Sequence, residues 1–347
     1  MLWNKTQNNR PMPWKGEPDP YKIWLSEIIL QQTRVEQGWH YYNRFVASFP
    51  NINLLAKAPE EKVFKLWEGL GYYTRCKNLI ATAKFIAKEK QGRFPDSYEE
   101  ILSLKGIGPY TAAAIASFAF NLPHAVVDGN VFRVLSRFFG IENPIDSNAG
   151  KKLFTDLAEA LLDKKLPGIY NQAIMDFGAV TCKPKNPLCS TCPLQEKCVA
   201  LATGKVNILP VKEGKLVKRT RWFYYLVAEH NGKIYVRKRG AKDIWENLNE
   251  FILLEEERSM TVAELQATPA FKRLVKGNNI TIISHSKMYR QQLTHQTING
   301  MFIRVKLKNA LVLPGHKEVS FKALGKLPFP KLITGYLVEN ELKALER

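Results

Sequence analysis

Leu104-Lys105-Gly106-Ile107-Gly108-Pro109-Tyr110 opens the stretch whose reading decides the fold. An alanine-rich run continues to Phe120, and Val126-Val127-Asp128-Gly129-Asn130-Val131 follows it. The alanines, with Ile115, Phe118 and Phe120, predict a buried helix. Gly106 and Gly108 fall in the turn before it, and Pro109 falls in its first turn, where a missing N–H costs nothing. A glycine turn feeding a helix N-terminus directs free backbone N–H groups outward, which suits a phosphate. Asp128 stands between apolar residues and a glycine, and two readings are open for it. It can cap a helix over 131–139, since Asp is a favoured N-cap, or it can be a buried acid used in chemistry. A glycine turn alone is usually only a turn. Turn and acid together, in a strongly basic chain, point to a phosphate-gripping hairpin with a buried acid nearby.

Working outward, 347 residues suit two domains, and no apolar run approaches the length of a membrane span. Met1-Leu2-Trp3-Asn4-Lys5 has no apolar signal-peptide region, so no secretory leader is expected. With 51 Lys and Arg against 32 Asp and Glu, the net charge of +19 favours a polyanionic partner. An anionic membrane is the rival, but no long amphipathic basic helix stands out. Five cysteines, four of them crowded together, argue against a disulfide framework and for a metal site in a reducing compartment.

N-terminal to the hairpin, residues 10–15 are too proline-rich for a helix. Asp19-Pro20 predicts a cap and a first turn. In the helix that follows, Ile23, Trp24, Ile28 and Gln31 share one face, and Glu27 lies on that same face. Burying a charged acid is costly, so a buried Glu27 would keep its proton through a raised pKa. Periodicity alone leaves open a Glu at the edge of the stripe. Helices are predicted over 39–49 and 59–67; Gly69-Leu70-Gly71 and Tyr72-Tyr73 follow, then a basic helix through Arg75, Lys77 and Lys84. The paired tyrosines read as packing or, beside the basic helix, as a stacking platform for a base.

Beyond Gly140 the chain stays helical to about 179, with a start signal at Asp146-Ser147 and a break at Pro167-Gly168. Cys182, Cys189, Cys192 and Cys198 follow with the spacing C-x6-C-x2-C-x5-C. Four thiolates on so short a loop can close around zinc or around a [4Fe–4S] cluster. A polar, basic linker covers 205–219. After it, strands are predicted at 222–228 and 233–236, joined by a type I′ turn at Asn231-Gly232, and at 281–284, 300–307 and 319–321. With helices near 261–265 and at the C-terminus, residues 220–347 read as an α/β domain.

Four stretches carry a resemblance: the hairpin with Asp128, Trp24-Leu25-Ser26-Glu27 with Leu30-Gln31-Gln32-Thr33, Gly69-Leu70-Gly71-Tyr72-Tyr73, and the cysteine spacing. They resemble the MutY type of adenine DNA glycosylase, in the helix-hairpin-helix, or endonuclease III, superfamily. The likeness is strong over 10–198 and weaker over 220–347. It implies a multidomain fold. An all-α glycosylase domain would cover 1–204, with the helix-hairpin-helix at 104–128 and an iron–sulfur loop at 182–198. A Nudix-like lesion-recognition domain would cover 220–347. Glu255-Glu256-Glu257 lacks the spacing of a working Nudix motif, so pyrophosphate hydrolysis is not expected.

The resemblance also implies the chemistry: a monofunctional glycosylase that removes adenine mispaired with 8-oxoguanine or guanine from double-stranded DNA in base excision repair. Glu27 would be the catalytic acid, Asp128 the carboxylate acting at the sugar, and Tyr110 and Asn130 its supports. Arg10, Trp14, Leu30 and Gln172 would line the adenine pocket; Lys15 stands where an Arg is commoner. Gln32 would wedge into the duplex, and Thr33, Leu70 and Tyr72 would meet the guanine side. Gly106 and Gly108 would hold phosphate, and the four cysteines a [4Fe–4S] cluster. Leu293-Thr294-His295 occupies the place of a usual Phe-Ser-His, so Thr294 and His295 are the candidate lesion readers. Members that cut the backbone carry a lysine where this chain has Tyr110. The expected protein is a monomer in a bacterial cytoplasm, associated with the nucleoid and not with a membrane. The alternatives are another mismatch or pyrimidine glycosylase of the superfamily, or a non-catalytic DNA-binding protein; the latter has no use for two costly acids.

Overall fold

The computed structural model describes residues 1–12, 15–33, 35–214, 218–276, 278 and 280–340. The chain forms two compact units, Met1–Lys57 with Lys77–Lys215, and Ala58–Cys76 with Leu216–Arg347. The sequence suggests one boundary, at 205–219, whose residues 215–217 lie outside the described residues. Contacts also carry residues 58–76 into the C-terminal unit.

In chain order the helices are α1 (Leu2–Thr6), α2 (Pro20–Leu30), α3 (Val35–Ser48), α4 (Ile52–Lys57), α5 (Glu60–Trp67), α6 (Tyr73–Glu89), α7 (Tyr98–Ser103), α8 (Pro109–Phe120), α9 (Gly129–Phe139), α10 (Asn148–Leu161), α11 (Pro167–Val180) and α12 (Val199–Ala202). Of these, α5 and the start of α6 belong to the second unit. Helix α2 starts where the sequence places it: the Asp19 side chain accepts from the Tyr21 N–H at 2.9 Å, with Pro20 in the first turn. It is buried nearly all round and packs against α8, whose residues 111–117 are all buried. A helix apolar on every side belongs in a core. No described helix is long and apolar enough to cross a membrane.

The hairpin joins α7 to α8. Gly106 adopts φ +81°, and a Cβ there would lie 2.6 Å from Asn78 Cβ, so only glycine fits. Thr82 Oγ1 fixes the same turn by donating to the Lys105 carbonyl at 2.8 Å. Helix α9 packs on α11, with a Cβ at Gly178 lying only 2.7 Å from Asn130 Cβ, and Ala125, Val131, Leu135 and Phe154 form a core cluster.

The second unit is a mixed eight-stranded sheet. Its strands are β1 (Arg219–His230), β2 (Lys233–Lys238), β3 (Asn249–Glu250), β4 (Ile252–Glu256), β5 (Ile280–His285), β6 (Tyr289–Gln292), β7 (Gln296–Leu307) and β8 (His316–Ser320). Helices α13 (Val262–Ala267), α14 (Pro269–Leu274), α15 (Phe321–Leu324) and α16 (Lys331–Glu339) complete it. Strand β1 runs parallel to β7 and antiparallel to β2 and β4. Asn231 and Gly232 both have positive φ, as a type I′ turn requires. Tyr224, Leu226 and Ala228 pack with Leu265 and Phe271 of α13 and α14. On the alternate positions, Tyr225 stacks on Phe302 and Phe302 on Tyr336 of α16. Both faces of β1 are covered, which explains its unbroken apolar run.

Strands β4 and β6 were not among the predicted strands. Tyr289-Arg290-Gln291-Gln292 is too polar to stand out, and the short apolar run Ile252-Leu253-Leu254 of β4 passes straight into the acidic Glu255-Glu256. Glu255 reads as part of a solvated acidic run, yet it sits in β4 and takes two 2.7 Å hydrogen bonds from the Arg221 guanidinium.

Candidate active site

Glu27 is 5% exposed, one turn before the end of α2. Its Oε2 accepts from the Tyr110 hydroxyl at 2.7 Å. Burial lifts its carboxyl from 4.5 to about 7; the Tyr110 hydrogen bond pulls it back, and the nearby negative charge of Asp128 raises it further.

Asp128 caps α9. Its Oδ1 accepts from the Asn130 and Val131 N–H groups, both at 2.8 Å, and its Oδ2 from Asn130 Nδ2 at 2.6 Å. Burial pushes its carboxyl up, while these donors and Arg133 draw it down. Asp128 is therefore a cap, as one reading has it, and it stands near enough to Glu27 for its charge to act on that carboxyl. Asn171 holds the approach to it by accepting from the Val126 N–H at 3.1 Å and donating to the His124 carbonyl at 2.9 Å.

The support runs onward through α9. Asn130 Oδ1 accepts from Arg133 at 2.9 Å, and Arg133 donates to the Cys182 and Gly178 carbonyls, each at 2.7 Å. One turn later Arg137 donates to the Lys183 carbonyl at 2.8 Å and to Cys182 Sγ at 3.5 Å. Two buried arginines at i, i+4 thus tie the helix capped by Asp128 to the first cysteine of the loop. Cys182, Cys189, Cys192 and Cys198 line one cavity of about 30 Å³ together with Arg137. Among the described residues, no group of three or more His, Cys, Asp or Glu forms a site that could hold a metal ion.

A pocket of about 330 Å³ opens on Glu27. Lys15 and Gln172 line it, with Ser26, Ser117, Phe118 and Ile169. Arg10 is joined to Gln172 through Asp176, whose side chain is fully buried. Asp176 accepts from Asn8 and Arg10 at 2.8 Å, Gln172 at 2.9 Å and Lys15 at 3.2 Å. Leu30 does not line the pocket. It packs on α3, where a Cβ at Gly38 would lie 2.7 Å from Leu30 Cδ2. Trp14 lies outside the described residues.

Asp176 and Arg133 were missed in the sequence. For Asp176 the signal was the one that singled out Glu27, a charge within an apolar helix; Arg133 and Arg137 share the apolar α9 at i, i+4. Asp176 also falls four residues after Gln172, on the same face.

Gln32 is exposed in the turn after α2 with φ +60°, next to Thr33, whose N–H bonds to the Leu30 carbonyl at 3.0 Å. Gly108 caps α8 with extended backbone, leaving its first N–H groups without a side-chain partner. In the second unit Leu70 is buried and Tyr72 is 46% exposed with φ +48°. The Tyr72 hydroxyl and Thr294 Oγ1 are hydrogen-bonded. His295 follows in the β6–β7 turn, its carbonyl accepting from the Arg219 N–H at 3.0 Å.

Residues 25–160 match the family described as HhH-GPD superfamily base excision DNA repair protein. The chain is 38% identical over 248 residues to an adenine DNA glycosylase of Buchnera aphidicola subsp. Baizongia pistaciae, covering 71% of this chain and 70% of that one. It is 40% identical over 203 residues to the Homo sapiens adenine DNA glycosylase, covering 56% of this chain and 37% of that one. A solved thermostable thymine-DNA glycosylase superposes with a TM-score of 0.54 at 30% identity, covering 58% of this chain and 92% of that one. With the Buchnera relative, 38% identical, matched over more than two thirds of its length, and the superfamily match spanning both Glu27 and Asp128, the chain belongs to the MutY-type adenine DNA glycosylases of the helix-hairpin-helix superfamily.

Proposed function

We propose that the protein hydrolyses the N-glycosidic bond of adenine paired with 8-oxoguanine or guanine in double-stranded DNA, and leaves the backbone uncut. One observation carries this reading. A buried, proton-holding Glu27 opens on a base-sized pocket and is linked through one hydroxyl to the neighbourhood of a second acid. The adenine must first leave the stack. It is a poor leaving group as an anion, and protonation by Glu27 removes that obstacle. The sugar then develops oxocarbenium character, which the Asp128 carboxylate stabilises or attacks, and water completes hydrolysis. Tyr110 offers a hydroxyl where a Schiff base would need an amine. The direct test is a duplex with one adenine opposite 8-oxoguanine. Nicking should appear only after alkali treatment; nicking without alkali, or none after it, sinks the reading.

Four cysteines are the donor set that a [4Fe–4S] cluster takes, although as they stand they do not close on a single metal ion. They share one cavity, and Arg137 stands against it as a cation donating to Cys182 Sγ. Such a cluster takes four thiolates and is tuned by hydrogen bonds to sulfur. Its contribution would be to brace the loop that Arg133 and Arg137 hold. The purified protein is expected to be brown, with broad visible absorbance. Cys192→Ser should reduce folding or DNA binding more than the chemical step. A colourless native protein with stoichiometric zinc favours the four-thiolate zinc alternative.

The second unit supports a Nudix-like lesion reader. 8-Oxoguanine bears a hydrogen on N7 where guanine presents an acceptor. A hydroxyl can accept that hydrogen, and Thr294 supplies one on an exposed turn. Thr294→Ala with His295→Ala should shrink the preference for adenine opposite 8-oxoguanine over adenine opposite guanine by about fivefold or more, as one lost hydrogen bond of about 1 kcal/mol implies. An unchanged preference moves lesion reading to Thr33, Leu70 and Tyr72.

A further inference from the structure

Two acceptors in the second unit converge on the start of α16. Glu68 Oε1 accepts from the Phe329 N–H at 2.9 Å and from Thr334 Oγ1 at 3.4 Å. Gln291 Oε1 accepts from the Leu332 N–H at 2.9 Å. Each acceptor stands just upstream of a loop singled out for the lesion side. Glu68 is four residues before Tyr72, and Gln291 is three before Thr294. The loops then meet where the Tyr72 hydroxyl bonds Thr294 Oγ1. The contacts close a ring: Tyr72, the glycine loop, Glu68, the start of α16, Gln291, the β6–β7 turn, Thr294.

The ring rests on a fixed base. Helix α16 packs on β7 through Leu332, for which Gly300 leaves the room: a Cβ at Gly300 would lie 2.6 Å from Leu332 Cδ2. Asn249 holds the preceding turn, with its N–H and its Nδ2 both donating to the Pro328 carbonyl, at 2.8 and 3.0 Å. Lys65 adds a second tie by donating to both Glu68 Oε2 and the Leu327 carbonyl at 2.9 Å. A carboxylate is favoured at a helix N-terminus, where N–H groups and the dipole both attract it. The Glu68 side chain is nearly buried, 13% exposed. A merely solvated glutamate would not hold N–H, hydroxyl and ammonium donors together.

We propose that Glu68 and Gln291 are positioning residues that set the distance between Tyr72 and Thr294, and so set the preference for adenine opposite 8-oxoguanine over adenine opposite guanine. This rests on the lesion-reading role given above to Tyr72 and Thr294. Neither residue acts on the bond that breaks.

The experiment compares single-turnover excision and duplex affinity on the two duplexes, using the full chain. Glu68→Ala is expected to shrink the preference about tenfold, the loss of slightly more than one hydrogen bond. Gln291→Ala should act in the same direction. Glu68→Gln should restore most of the preference, because the amide oxygen still accepts from Phe329 and Thr334 and only the Lys65 contact is lost. In a Thr294→Ala background, Glu68→Ala should add little, since both changes break one ring. A general structural role predicts the reverse: equal loss in both backgrounds and on both duplexes, tracking the melting temperature. That result overturns the proposal, and so does an unchanged preference in Glu68→Ala and Gln291→Ala. If the wild type treats the two duplexes alike, it is the lesion reading itself that fails, and the assignment to Glu68 and Gln291 falls with it.

Discussion

Glu27→Gln is expected to lose roughly 10²–10⁴ in the single-turnover rate of adenine excision, the range a general acid supplies, while binding the duplex about as well as the wild type. The amide keeps the shape and can still accept from the Tyr110 hydroxyl, but it has no proton to give. The pH profile separates this from a packing effect. In the proposed mechanism Glu27 acts as the protonated form and Asp128 as the ionised one, and burial holds the Glu27 carboxyl at about 7. The rate should therefore fall as pH rises through about 7. The Asp128 carboxyl is also raised by burial. The rate should fall again on the acid side as Asp128 takes up a proton. The residual activity of Glu27→Gln should lack the alkaline limb. Excision at close to the wild-type rate, or an alkaline limb that survives the substitution, would remove Glu27 from proton donation.

Asp128→Asn separates the two roles that converge on this residue. As an N-cap, Asn is about as good as Asp, so α9 should keep its start and the melting temperature should move little. As the group that meets positive charge at the sugar, Asn is a poor substitute, and a loss of roughly 10²–10³ is expected, as for other fixed electrostatic stabilisers. An amide would also confront Asn130 Nδ2, which now donates to Oδ2 at 2.6 Å. Stability and rate are read on the same preparation. A normal rate with normal stability leaves Asp128 as a cap alone. A parallel fall in both assigns the loss to folding.

Much of the first unit was legible because its signals are local. The Asp19 and Asp128 caps, the glycine hairpin and the alanine run need only a few neighbouring residues to be understood. Glu27 was legible as a charge on an apolar face, although periodicity could not decide whether it was buried. Asp176 gave the same signal but lacked a quoted motif around it. The grouping of residues 58–76 with the C-terminal segment was not legible. Helix α5 reads as one more amphipathic helix, and the contacts that claim it, from Glu68 to Phe329 and Thr334, span 261 and 266 residues. Strand β6 escaped because its pairing with β7 is through the backbone, to which its polar side chains give no clue.

Gln32 and Tyr72 both hold their backbones in the left-handed region. A residue with a Cβ is disfavoured there by roughly 1–2 kcal/mol, and glycine is not. A glycine at either position would relax that strain in the free protein while deleting a side chain that the proposed function assigns to the duplex. If those side chains act as proposed, selection for heat resistance alone would drift toward a sturdier protein that repairs less. On that proposal, a programme of thermal improvement has to leave these two positions alone.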